Sequence, residues 1–370
     1  MPEPARRNPP FRAEHVGSLL RPPALTQGFH ALSDGDIDAE AYRAIQDQCI
    51  RDVVALQEEA GLHVVTDGEF RRASYWSHFV EAVDGLTVRT AHYRFHDAEG
   101  ESRAFMAPHV AGTVRRTRSI SGAEFDFLKS VTRETPKVTM PSPPTMHFWG
   151  GPDAIAADAY ADVDAFFADL ATVYRQEIAD LAARGARYVQ LDEVPLAMLC
   201  DETVRDAVRN EGEDPDALAG KYVDLINAAV ADRPAAVTVG LHMCRGNFKG
   251  RWLSEGGYDA VAERLFNRLD VDAFFLEFDS PRAGDFRPLR HVPKSKSVVL
   301  GLITTKSGAL EDPDALAARI DEASAFVPLE RLAISPQCGF SSTVAGNPLT
   351  IEDEKNKLRL VVAVARRVWG

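Results

Sequence analysis

The sequence predicts an α/β fold, a TIM (β/α)8 barrel with a β-hairpin inserted between its second and third strands. Three observations carry this. Short apolar runs alternate with amphipathic stretches from one end of the chain to the other, the strand count reaches eight, and no Gly-rich dinucleotide fingerprint follows any strand. An open doubly wound sheet is the competing arrangement, and the missing fingerprint weighs against it.

The strands come first. A short one precedes Gly17, and buried parallel strands rich in Val, Ile, Leu and Phe follow at Leu62–Thr66, Lys137–Met140, Tyr188–Leu191, Val237–Leu241, Ala273–Glu277, Ser297–Leu302 and Leu332–Ser335. Helical periodicity fills the intervals at Ala41–Ala60, Tyr160–Arg184, Pro215–Ala231, Tyr258–Arg268, Pro313–Phe326 and Glu352–Val368. Gly61 and Gly185 directly follow two of these runs, the usual stop signal. Leu86–Arg118 breaks the pattern by alternating apolar and polar residues around Gly100. It reads as the inserted hairpin, a lid or a homo-oligomer contact.

Composition narrows the function classes. The 370 residues carry 42 Lys+Arg against 55 Asp+Glu, a net charge of −13, which leaves no basic surplus for nucleic acid. No apolar run approaches the roughly 20 residues of a membrane span, and the N-terminal segment lacks the apolar core of a signal peptide. Four cysteines in so long a chain are no disulfide framework, so a reducing cytoplasm is expected. With no long linker, residues 1–370 are expected to form a single domain, its hairpin at about 86–118.

Reactive groups of a TIM barrel gather where strands end. Here those ends carry His15–Ser18, Asp67–Glu69, Asp192-Glu193, His242–Cys244, Glu277, Thr304–Lys306 and Cys338-Gly339. His242, Cys244, Glu277 and Cys338 are metal-ligand types. Two thiolates, an imidazole and a carboxylate suit tetrahedral zinc and disfavour magnesium or calcium. The competing reading makes the cysteines small buried hydrophobes. It fits Cys49, set among Ile45, Ile50 and Val53, and Cys200, but not four ligand types converging at strand ends. Zinc with this donor set is electron-rich. It activates water poorly and suits a substrate thiol, whose pKa it lowers for S-alkylation.

The segments HVGSLLRP, VTDGEFRR, VQLDE, LHMCRGN, FFLEFDS and SPQCGF, in this order from His15 to Trp369, resemble the cobalamin-independent methionine synthase family, in its short forms that hold only the catalytic C-terminal half. The resemblance implies a zinc-dependent transfer of a methyl group to the thiol of homocysteine, giving methionine, with 5-methyltetrahydrofolate or a related molecule as donor. It implies zinc ligation by His242, Cys244, Glu277 and Cys338. It places Ser18 at the amino-acid carboxylate, and Glu69 and Asp192 at the amino group, where two carboxylates attract an ammonium. Two departures stand out. A chain of 370 residues has no room for the family's second, folate-assisting barrel, and Lys306 stands where the family has its proton-donating histidine.

Arg245 opens the basic run RGNFKGR directly after two ligands, a candidate anion-holding loop at the mouth, and Arg282, Arg287 and Arg290 could add to it. Trp76, Phe148 and Trp149 are candidates to stack on a flat ring. An enzyme of the epoxyalkane:coenzyme M transferase type is the nearest rival, though its sulfonate thiol has no amino group to meet Glu69 and Asp192. A closed structural zinc site is the non-catalytic alternative, which ligands spread from His242 to Cys338 disfavour.

Overall fold

The computed structural model describes residues 9–96, 102–247, 252–344 and 346–370. Six parallel strands lie side by side in chain order: Val138–Pro141, Tyr188–Glu193, Thr238–Met243, Ala273–Glu277, Ser297–Ile303 and Leu332–Pro336. Every residue of Ala273–Glu277, Ser297–Ile303 and Leu332–Pro336 is buried, which is why these segments read as unbroken apolar runs.

The expected strand at 62–66 is reduced to Val64–Val65, paired in parallel with Thr135–Pro136 just ahead of Val138–Pro141. The expected strand before Gly17 contributes a single bridge, Ala13 to Ile334. Pro9 and Pro10 have no N–H to offer a ladder, and the Glu14 side chain accepts from the Phe11 N–H, turning the chain back on itself. The ladder hydrogen bonds therefore do not run through eight strands among the described residues. Side chains nevertheless meet on one face of the sheet: Val64, Tyr188, Ala273, Phe275, Val299 and Ala333 form a cluster with Phe11, separate from the larger core under the helices.

The helices follow the sequence reading closely. Ala39–Ala60 and Val163–Arg184 begin at Asp38 and Asp162, whose carboxylates accept from Ala41 and Ala165 N–H, and both end at glycines in the left-handed region, φ 90° at Gly61 and 98° at Gly185. Pro215–Val230 and Pro313–Ser324 start with proline after an Asp cap. Three longer helices escape the periodicity argument, Pro23–Asp34, Gly122–Val131, and Glu202–Asn210 behind its Asp201 cap, as do the short Ser77–Ala82, Thr145–Phe148 and Pro195–Met198. Between Val64–Val65 and Thr135–Pro136 the chain forms an antiparallel pair, Val83–Thr90 with Met106–Arg116; the Gly100 turn lies outside the described residues. No helix among the described residues is long and apolar enough to cross a membrane.

Candidate metal and thiol site

Ladder register builds the centre of the site. Asp192 and His242 are directly paired across adjacent strands, and Cys244 follows His242 by two residues, just past the strand end. Cys338 arrives from the loop after Leu332–Pro336. His242, Cys244 and Cys338 are all buried, and one ligand atom from each lies within 4.8 Å of the others. That separation is what ligands of one ion need, so the donor set fits zinc. Glu277 ends the neighbouring strand and does not join the three in this arrangement. Its Oε2 accepts from the Arg245 backbone N–H at 3.0 Å, while buried Oε1 has no hydrogen-bond partner.

The electrostatics are those of a charged, dry pair. Burial alone would lower His242, but the hydrogen bond to Asp192 and the neighbouring Cys338 raise its pKa to about 10. A hydrogen bond from Cys244 and the His242 charge hold Cys338 well below the usual thiol range, and the same sulfur–sulfur hydrogen bond pushes Cys244 well up. Burial pushes Glu277 upward too; Lys306, Arg245 and Arg282 outweigh it and hold the carboxylate ionised.

A cavity of about 370 Å³ opens over these residues. Its lining includes Ser18, Glu69, Asp192, His242, Cys244 and Cys338. The Glu69 backbone sits in the left-handed region at φ 61°, a conformation that costs a non-glycine residue about 1–3 kcal/mol and clusters at functional sites. The Asp67 carboxylate accepts from its N–H at 2.9 Å and supports the turn. Glu69 Oε1 accepts from the Thr139 hydroxyl at 2.7 Å, and Oε2 is buried without a partner. Burial, reinforced by Asp192 and Asp67 against the opposing Arg72, raises Glu69 to about 7. A Cβ on Gly339 would lie 1.9 Å from Ser18 Oγ, so only glycine lets the Cys338 loop pass so close to that hydroxyl.

The other expected residues sit elsewhere. Arg245 is fully buried and does not line the cavity: its guanidinium donates to the Gly256 carbonyl and the Tyr258 hydroxyl and packs 4.4 Å over the Tyr258 ring. Phe248 to Arg251, the rest of the basic run, lie outside the described residues. Lys306 Nζ lies 3.6 Å from Glu277 Oε1 and 3.9 Å from Asp279, with no hydrogen bond, and is not in the cavity lining. Arg282 flanks the same carboxylate at 3.7 Å and stacks on Trp252, whereas Arg287 and Arg290 are surface residues beside Asp285 and Asp259. Trp76 and Trp149 line the cavity; Phe148 stands behind, stacked on Tyr93.

Sequence reasoning missed Tyr75, Asn247 and Phe105. Tyr75 and Phe105 widen the apolar wall, and Asn247 donates to the Gly339 carbonyl at 3.0 Å, tying the two ligand loops together. An asparagine three residues beyond a candidate thiolate is a signal for such a tie; the tyrosine and phenylalanine carry none in one dimension. Cys200 and Cys49 are buried away from the three ligands, as expected.

Comparison with known proteins now has a geometry to meet. The catalytic-domain profile of the cobalamin-independent synthases matches residues 13–367. The chain is 41% identical to the Bacillus subtilis protein YxjH over 98% of its length and 96% of that protein's. It is 26% identical to the 5-methyltetrahydropteroyltriglutamate–homocysteine methyltransferase of Mycolicibacterium paratuberculosis, over 97% of this chain but 43% of that longer one. A Listeria monocytogenes structure assigned as a vitamin-B12-independent methionine synthase superposes with a TM-score of 0.76 at 33% identity, covering 99% of this chain and 100% of that one. An α/β fold of the TIM-barrel type, metal-ligand side chains at its strand ends and a profile match over nearly the whole chain agree: the protein belongs to the cobalamin-independent methionine synthase family of methyltransferases.

Proposed function

We propose that the protein is a zinc-dependent S-methyltransferase that methylates the thiol of homocysteine, giving methionine, in one cytoplasmic catalytic domain spanning the chain. The observation that carries this is the cavity wall, where His242, Cys244 and Cys338 meet beside Ser18, Glu69 and Asp192. The shared cluster of inward side chains from Val64 to Ala333 supports a closed barrel, and the antiparallel pair supports a hairpin insertion near its mouth.

His242, Cys244, Cys338 and Glu277 would hold the zinc. When bound, zinc supplies Lewis acidity that lowers the pKa of the substrate thiol. Ser18 donates its hydroxyl to the amino-acid carboxylate, and Glu69 and Asp192 face the ammonium. The acid pair favours homocysteine over a sulfonate thiol, which offers it no cation. Tyr75, Trp76 and Trp149 exclude water from the methyl group in transit. The substrate sulfur attacks the methyl carbon, the carbon's bond to the donor breaks, and the donor keeps the electron pair and takes up a proton. Lys306 and Arg245 we assign to Glu277: they hold a buried carboxylate ionised and oriented, as positioning residues.

A donor screen tests the reading. Purified zinc-loaded enzyme with homocysteine is offered folate monoglutamate, folate polyglutamate, methylcobalamin and simple methyl compounds, with methionine read by mass. Methionine from any one donor is expected. Alkylation of coenzyme M with no methionine from any donor overturns it.

A further inference from the structure

Three loops wall the reaction cavity, residues 15–22, 66–76 and 337–344, and none of them lies in a helix or a sheet strand. Ser18 stands on the first, Glu69 and Tyr75 on the second, Cys338 and Thr343 on the third. Without a ladder, individual hydrogen bonds space them. The Leu19 N–H donates to the Gly68 carbonyl at 3.1 Å, the Phe340 N–H to the Ser18 carbonyl at 2.9 Å, and the Tyr75 N–H to the Ser342 carbonyl at 3.1 Å.

One side chain joins all three loops. Arg21, on the first, donates from Nη2 to the carbonyls of Glu69 at 3.2 Å and Arg72 at 2.7 Å. From Nη1 it donates to the carbonyls of Ser341 at 3.1 Å and Thr343 at 2.9 Å, and to the Ser341 hydroxyl at 2.8 Å. All five acceptors are uncharged and four are main-chain carbonyls, so these bonds fix backbone positions. The guanidinium is a rigid planar fork; one of its nitrogens holds the Glu69 loop and the other holds the Cys338 loop. The Glu69 carbonyl it grips follows a left-handed φ of 61°, a conformation that persists only where the surroundings over-determine it. Burial lowers the Arg21 pKa, and the Glu69 charge comes first among those opposing this, so the carboxylate also feels the guanidinium.

We propose that Arg21 is a positioning residue of the reaction cavity: its fork sets the distance between the Glu69 loop and the Cys338 loop, and with it the place of the Glu69 carboxylate beside the metal ligands. Arg21 itself is outside the cavity lining and touches no reactant. The spacing stands without any substrate; that it seats the ammonium of homocysteine rests on the proposed function. A thiol without an amino group does not use Glu69 and is indifferent to where that carboxylate lies.

Arg21→Lys tests this, because lysine keeps the charge and replaces two nitrogens by one. Hydrogen exchange of the full chain, read by mass, is expected to quicken at least tenfold in peptides covering 66–76 and 337–344, and to stay as in wild type over Val163–Arg184. By calorimetry on zinc-loaded protein, homocysteine should bind about tenfold more weakly, and 4-mercaptobutanoate, its analogue without the amino group, as in wild type. Arg21→Gln repeats both measurements should lysine strain the fold. Unchanged exchange in the two loops, unchanged homocysteine binding, or an equal loss for both thiols overturns Arg21 as a positioning residue. Faster loop exchange in a protein whose wild type binds neither thiol overturns the proposed function and leaves the spacing role standing.

Discussion

His242 Nδ1 donates to Asp192 Oδ1 at 3.0 Å, from the residue directly opposite it in the parallel ladder. Gln190 Nε2 donates to the same oxygen at 2.7 Å, so the carboxylate is held from two sides. A carboxylate on one ring nitrogen fixes the tautomer and leaves the other nitrogen as the ligand. Asp192 thus touches both the imidazole and the cavity.

Asp192→Ala should therefore weaken zinc binding by about 10- to 100-fold and raise the KM for homocysteine. A chelator competition reads the first and initial rates the second. Wild-type zinc affinity in this variant would remove the tie between carboxylate and imidazole.

The two classes of cysteine make opposite predictions. Cys338→Ser should lose bound zinc, measured by atomic absorption, together with thiol methylation. Cys200→Ser should keep both, because Cys200 is buried in the core and its sulfur donates to the Leu196 carbonyl. Full methylation by a metal-free Cys338 variant would sink the zinc mechanism.

Gly339→Ala tests the close approach to Ser18. A methyl group there has to displace the hydroxyl, and overpacking of this kind costs about 1–3 kcal/mol. Homocysteine binding should weaken about tenfold while zinc content holds. An unchanged KM would show that Ser18 moves without consequence for the substrate.

Glu354, outside the cavity lining, predicts a pH effect on stability. It lies on the last helix, Ile351–Trp369, is fully buried, and accepts from the Leu20 N–H at 2.7 Å; burial raises its pKa to about 8. Between pH about 4.5 and 8 the folded protein keeps a proton that the unfolded chain gives up, so stability falls as pH rises through this window and levels off above it. Glu354→Gln keeps the acceptor and removes the penalty. Its Tm should exceed wild type at pH 9 and match it at pH 4.5, and equal Tm values at both would rule the effect out.

Much of this architecture was legible in one dimension because burial leaves unbroken apolar runs. Ala273–Glu277 coincides with its strand, and Gly61 and Gly185 mark helix ends. Pro23–Asp34, Gly122–Val131 and Glu202–Asn210 were missed because they bury few apolar side chains: Leu25 in the first, Phe125 and Leu128 in the second, Val204 and Val208 in the third. The ligands were legible because strand ends are; the wall was not, because Tyr75, Phe105 and Asn247 are brought to the cavity by tertiary packing. Arg245 misleads in sequence for a related reason. Its charge looks available for an anion, yet the fold spends it on Gly256, Tyr258 and Glu277.

The plug of side chains around Phe275 and Tyr188 has a kinetic consequence. Tyr188 donates to Glu14 at 2.9 Å, and Lys137 pairs with the same carboxylate at 3.3 Å, so the interior beneath the ligands is filled and tied. The described lining of the reaction cavity reaches the surface at the exposed Met106. Ser18 and Glu69 are buried and Met106 is exposed, so on the proposed function the amino acid is seated before the donor covers it. On the proposed function, product leaves in the reverse sequence, spent carrier first and methionine last, and turnover is ordered rather than random.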